Sequence, residues 1–175
     1  MALLDEEGVQ VSPGEIGEVC IRSEAVMRGY WKRPQQTAET LAGGWLHTGD
    51  LGYQDEEGFY YLVDRAKDMI ISGGFNVYPR EVEDVLTAHP GVALAAVIGV
   101  PDEKWGEKVV AVVVPKTEGG ADAEALIALV KDRRGAIQAP KQIDFVQALP
   151  QTSLGKIDKK ALRARYWDGS DRMVN

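Results

Sequence analysis

FYYLVDRAKDMIISGGFNVYP, residues 59–79, changes character in its middle. FYYLV (59–63) follows DEEG, a turn signal, and is an apolar, aromatic strand segment. A charged knot comes next, with Asp64, Arg65, Lys67 and Asp68 around a single alanine. Beyond it, MII (69–71) and FNVY (75–78) read as two short strands around Ser72-Gly73-Gly74, a pair of glycines suited to a hairpin turn. Pro79 then opens a helix, because proline is pre-set for the first helical position and needs no N–H there. Residues 62–68 therefore divide the chain into two regions with different patterning.

Upstream of the divide the pattern is β. VQV (9–11) precedes the turn-rich SPGEIG, and EVCIRS (18–23) alternates apolar with polar. Glycines punctuate short apolar runs at 43–44, 49, 52 and 58. PQQTAETL (34–41), with its leading proline, is the one helical excursion. Residues 9–63 read as a small, mostly antiparallel β unit.

Downstream, elements alternate. In PREVEDVLTAH (79–89), Val82, Val85 and Leu86 share a helical face, and Pro90-Gly91 stops the helix. VALAAVIGV (92–100) and VVAVVVP (109–115) are nearly unbroken apolar runs, expected of strands buried on both faces. Asp122 is placed to cap a helix carrying Leu126, Leu129 and Val130, with Arg133 and Arg134 suited to its negative end and Gly135 to its termination. IDFV (143–146) is a third strand, and Asp158 is placed to cap a last helix. The fold class is α+β: a small, mostly antiparallel β unit, then an α+β domain of about three sheet strands, a small hairpin and three helices.

The 175 residues suffice for one domain or two small ones. Apolar residues at 45% and charged residues at 27% are ordinary for a soluble globular protein. A net charge of −7 argues against a general nucleic-acid binder, which needs a basic face. The single cysteine, Cys20, can make no intrachain disulfide and reads as a strand residue; His47 and His89 are not at metal-ligand spacing from it, so no metal site is assigned. No apolar run is long enough to span a membrane, and the first residues lack a signal-peptide pattern, so a cytoplasmic location is expected.

Individual candidate residues each have two readings. Asp50, in HTGDL (47–51), either caps a tight turn or offers its carboxylate to a ribose diol. Lys156, in PQTSLGKIDKK (150–160), is either a solvated lysine or a point charge for an anionic ligand. It is not part of a phosphate loop, because Ile157 stands where the hydroxyl residue belongs and the earlier glycine is missing. Gly73-Gly74 either turns a hairpin or lets a ligand thread past the backbone. Trp105, in PDEKWGE (101–107), either covers the core locally or offers a stacking surface. No Ser-His-Asp order, G-x-S-x-G elbow or strand-linked G-x-G-x-x-G occurs.

Taken in order, GEIGEVCIRSEAVMRGYWKRP, GWLHTGDLG, DRAKDMIISGGFNVYPREVEDVL, GVPDEKWGEKVVAVVVP and ALPQTSLGKIDKKAL resemble the adenylate-forming enzymes, which include acyl-CoA synthetases, peptide-synthetase adenylation domains and luciferases. The resemblance runs from about Val9 to Tyr166, and FNVYP (75–79) looks most like fatty-acyl-CoA ligases. It covers only the C-terminal part of the family pattern. It implies that 1–63 ends the large adenylating domain as part of its small β-barrel subdomain, 64–68 is a hinge, and 69–175 is a mobile α+β lid. The family's phosphate loop, magnesium-binding glutamate and acyl pocket lie upstream of this pattern. The implied substrates are ATP, a fatty or other carboxylic acid, and CoA.

The resemblance also implies roles. Asp50 matches the residue that holds the ribose hydroxyls, Leu62 an apolar contact near the adenosine, and Arg65 a ribose and phosphate contact. Lys67 matches the pivot. Lys156 matches the lysine that stabilises charge as the carboxylate attacks the α-phosphate. Gly73 and Gly74 match the strand along the pantetheine tunnel, and Trp105 an aromatic at the CoA end. Lys141 matches a CoA-phosphate contact less closely, because Ile137-Gln138-Ala139 replaces the usual aromatic and basic residues. The expected working partner is a large adenylating domain, without which the chain is expected to be inactive. A stand-alone binding module derived from the same fold is the alternative, and exposed barrel edges and a lid without its partner are expected to favour self-association.

Overall fold

The computed structural model describes residues 1–166, so the end of the expected 69–175 domain lies outside the described residues. The chain forms two compact units, and the boundary falls between Lys67 and Asp68.

The first unit is an open, four-stranded antiparallel sheet in the order β1-β2-β3-β4. Its strands are β1 (Ala2–Leu4), β2 (Gly17–Ile21), β3 (Leu46–Gln54) and β4 (Tyr60–Arg65). Between β2 and β3 lies α1 (Pro34–Thr40), which begins on its proline as the sequence predicts. The expected strand at 9–11 is reduced to one isolated bridge, Leu4 to Gln10. Ala2–Leu4 takes the ladder beside β2 instead, and its three residues are buried. Pro13, which has no N–H to give, closes off any extension of the 9–11 segment.

The second unit is built on β7 (Val92–Asp102) and β8 (Gly106–Pro115), antiparallel over almost their whole length. The hairpin β5 (Ile70–Ser72) and β6 (Phe75–Val77) joins the other edge of β8 through the Ser72–Gly106 pair. Further along that edge, β9 (Gln142–Phe145) pairs parallel to β8. The expected three strands and hairpin thus merge into one five-stranded sheet.

Both faces of this sheet are covered, which explains the unbroken apolar runs. Ala95, Val97, Val109, Ala111 and Val113 face α2 (Pro79–Thr87) and α3 (Ala123–Arg134), against Val82, Leu86, Leu126 and Val130. The alternate residues Ala96, Ile98, Val110 and Val112 face Leu149 and Leu162, the latter on α4 (Lys159–Ala164). Period-two alternation thereby sends the apolar residues from 95 to 98 and from 109 to 113 alternately to the two cores, while Leu94, near the start of β7, stays exposed. The two predicted caps form: the Asp122 carboxylate accepts from Ala125 N at 2.8 Å, and Asp158 accepts from Ala161 N at 2.9 Å. Gly135 ends α3 with φ +86°.

Candidate active site

In the first unit, Asp50 and Arg65 are direct cross-strand partners of β3 and β4, and Arg65 Nε lies 3.0 Å from Asp50 Oδ1. The carboxylate thus faces a guanidinium rather than closing an Asx-turn. The turn before it is held from β2. Glu18 Oε1 accepts from Gly49 N at 2.7 Å, and Glu18 Oε2 lies 2.7 Å from His47 Nδ1. Thr48 Oγ1 donates to Val19 O at 2.7 Å and accepts from Asp50 N at 3.1 Å. Gly49 takes φ +73°, which favours glycine. Leu62, on the same β4 as Arg65, exposes 69% of its surface, far more than an isolated core strand would leave. A carboxylate beside a guanidinium, with an apolar side chain nearby in the strand, can accept from a diol, donate to a phosphate and cover an aromatic base.

Folding also brings together residues whose spacing suggested no contact. Cys20 Sγ lies 3.5 Å from His47 Nδ1, and with Glu18 these form a cluster whose ligand atoms are within 4.8 Å of one another. The thiol is fully buried, and burial, assisted by the Glu18 carboxylate, pushes its pKa up to about 11. It stays protonated at neutral pH, which suits a packing residue better than a metal thiolate.

In the second unit, Lys156 sits on a tight hairpin turn. Gln151 and Ile157 form an antiparallel bridge. Thr152 N donates to Lys156 O at 2.8 Å, and Gly155 N donates to Thr152 O at 2.9 Å. Gly155 takes φ +76°, and the tip residue Leu154 is 84% exposed. Ile157 packs under the sheet beside Leu149 and Leu162, so the lysine follows an exposed tip and precedes an anchored residue.

Gly73, Gly74, Trp105 and Lys141 are also in this unit. Gly73 and Gly74 take φ +60° and +82°, the signs a two-residue hairpin of the mirror-image type demands. Gly73 N donates to Trp105 O at 2.8 Å. A Cβ on Gly73 would lie 3.0 Å from Trp105 Cε3, whereas one on Gly74 would meet nothing within 4 Å. The Trp105 ring has Lys104 Nζ 4.9 Å and Lys141 Nζ 5.2 Å from its centroid. Burial lowers the Lys141 pKa, and the neighbouring charges of Lys104 and Lys131 lower it further. Lys141 Nζ also donates to Ala136 O at 2.7 Å, just past the last turn of α3 that carries Lys131. An indole flanked by ammonium groups can stack a base and bind phosphate.

Three residues join these sites that the sequence reading did not single out. Lys104 adjoins Trp105, so its neighbourhood was visible. Lys131 and Glu18 reach their partners only through the fold, and Glu18 carried no local signal for contacts about thirty residues away.

Residues 81–156 match the family described as the AMP-binding enzyme C-terminal domain. A medium/long-chain-fatty-acid–CoA ligase, FadD8 of Mycobacterium tuberculosis, is 54% identical over 181 residues, covering 99% of this chain and 32% of that ligase. The chain belongs to the adenylate-forming enzymes. It corresponds to the C-terminal portion of that family and spans about a third of the length of the curated relatives it matches. Among solved structures, the amide bond synthetase McbA from Marinactinospora thermotolerans is 46% identical with a TM-score of 0.87, over 94% of this chain and 33% of that one. The o-succinylbenzoate CoA synthetase MenE from Bacillus subtilis, in complex with its acyl-adenylate intermediate, is 36% identical with a TM-score of 0.85, over 99% and 35%. Among the described residues, no helix is long and apolar enough to cross a membrane.

Proposed function

We propose that the chain supplies the lid-bearing C-terminal third of an ATP-dependent acyl-CoA synthetase, and works with a large adenylating domain as its partner. The observation that carries this is how the chemistry divides between the units. The Asp50–Arg65 pair lies before the Lys67–Asp68 boundary, and Lys156, Gly74, Trp105 and Lys141 all lie after it. Such a division suits a two-step reaction in which one body keeps the nucleotide and the other changes pose between steps.

In the first step, Asp50 accepts from the ribose hydroxyls, Leu62 covers the adenosine and Arg65 donates to ribose and phosphate. Lys156 places its ammonium against the carboxylate and α-phosphate oxygens as the acyl–adenylate bond forms and pyrophosphate leaves. In the second step, rotation at Lys67 withdraws Lys156. The open side of Gly74 then admits the pantetheine arm beside Gly73, while Trp105 and Lys141, joined by Lys104 and Lys131, hold the CoA nucleotide. The thiol displaces AMP from the acyl carbon. Magnesium enters through residues of the large domain. The three flanking lysines support CoA as the acceptor, since an amine acceptor carries no phosphates for them to bind.

The test is reconstitution with the large domain of a fatty-acid–CoA ligase. The chain alone should give no acyl-adenylate. The mixture should catalyse ATP–pyrophosphate exchange, and Lys156→Ala should abolish it while sparing thioester formation from supplied acyl-adenylate. Equal loss of both steps in Lys156→Ala would overturn the assignment.

A further inference from the structure

α4 follows directly on the Lys156 turn and is tied down at three polar points. Lys159 Nζ lies 2.7 Å from Glu83 Oε1 on α2, and the Tyr166 hydroxyl donates to Asp144 Oδ2 of β9 at 2.5 Å. These two ties, with Leu162 at 1% exposure, already hold the helix to the body of the second unit. The third tie goes elsewhere. Arg163 Nη1 and Nη2 both donate to Asp68 Oδ1 at 3.0 Å. Asp68 is the first residue of the second unit, immediately after Lys67. The two side chains are only 18% and 14% exposed, so water screens the pair weakly. A partly buried ion pair adds little as a general contribution to stability, but it fixes geometry wherever it is placed.

We propose that Arg163 is a positioning residue that clamps Asp68, ending the pivot there and passing its rotation undiminished to the Lys156 turn. This rests on reading Lys67 as the pivot and Lys156 as the adenylation lysine. Asp158 starts α4 two residues after Lys156, and Arg163 lies five residues further on, so one short helix links the reacting lysine to the pivot's edge. Without the clamp, Asp68 and Met69 join the flexible stretch as far as Ile70, which is buried in the core. Lys156 then spends less time in its reactive pose, and a displacement of about 1 Å can cost on the order of 100-fold in rate.

The first test uses the 175-residue chain and amide hydrogen exchange. Arg163→Met and Asp68→Asn should each speed exchange at residues 67–69 about 10-fold or more, with β7 and β8 unchanged. The swap Asp68→Arg with Arg163→Asp should recover much of the protection. Unchanged exchange at 67–69 overturns the clamp, as does loosening spread evenly through the second unit. The second test uses the ligase reconstituted with the large domain. Arg163→Met should lower kcat for ATP–pyrophosphate exchange about 10-fold and leave KM for ATP within about twofold, because Asp50 and Arg65 lie before the pivot. A raised KM with kcat intact would refute the positioning role. If Lys156→Ala leaves exchange activity intact, the ligase reading fails; if it abolishes activity while Arg163→Met changes neither readout, only the clamp fails.

Discussion

Replacing Gly73 or Gly74 with alanine separates backbone strain from side-chain crowding within one turn. Both residues hold positive φ, +60° and +82°, and an alanine in that region costs about 1–2 kcal/mol. Beyond that the positions differ. A Cβ at 73 would lie 3.0 Å from Trp105 Cε3 and 3.3 Å from Cζ3, so the ring must give way, while a Cβ at 74 faces open space. The Trp105 backbone is held, because Trp105 O accepts from Gly73 N and Trp105 N donates to Asp102 Oδ1, so the ring must give way by turning about its own side-chain bonds, away from its contacts with Lys104 and Lys141. Crowding of this kind costs about 1–3 kcal/mol on its own. Gly74→Ala should therefore destabilise the second unit by about 1–2 kcal/mol, and Gly73→Ala by roughly 2–5. Urea unfolding followed at an amide of β8 reads the difference, and the Trp105 indole N–H resonance should move only in Gly73→Ala. Gly74→Asn should lose less than Gly74→Ala, because asparagine tolerates positive φ better. Equal losses at 73 and 74, with an unmoved indole resonance, would show that the ring does not require a glycine beneath it.

Three further expectations follow from charge and burial. Burial and the hydrogen bond to Asp144 push the Tyr166 pKa from 10 up to about 12, so the folded state favours the neutral phenol. Its contribution is complete below pH 10 and is lost as pH rises through about 12, so Tyr166→Phe should flatten the stability profile in that window, measured by thermal melts. Cys20, raised to about 11, should resist a thiol-reactive disulfide reagent at pH 8 until the first unit unfolds, and rapid native labelling would contradict its burial. Lys104→Ala with Lys131→Ala should weaken CoA binding by the chain several-fold and reduce its salt dependence, leaving pantetheine unaffected, as read by calorimetry.

Local chemistry made much of the second unit legible. Asp122, Asp158, Pro79 and Gly135 signal helix ends through the backbone groups they satisfy or omit, and each sits where its pattern indicates. The runs at 92–100 and 109–115 could be read as two-sided strands, because nothing polar interrupts them. The first unit was less legible because its partners are distant. Ala2–Leu4 is too short to show a period, and only β2 defines it as a strand. The clasp of Glu18 on Gly49 links positions thirty-one residues apart, and neither residue type announces it.

The same contrast explains why Asp68 gave no signal of its own. Within DRAKD it reads as one more solvated charge, and charge runs usually are solvated. Its burial follows from Arg163, ninety-five residues later, and Arg163 in turn is placed by the Asp158 cap and by Leu162 beneath the sheet. The cap sets where the helix begins, the buried leucine sets its rotation, and the next residue is thereby aimed at Asp68. Moving the Asp158 cap should therefore disturb Asp68, the first residue of the second unit, without touching it. Asp158→Ala removes the bond to Ala161 N, costs about 1 kcal/mol at the helix start, and should loosen exchange at Asp68 as well as in α4. Loosening confined to α4 would mean that Arg163 holds Asp68 without help from the helix start.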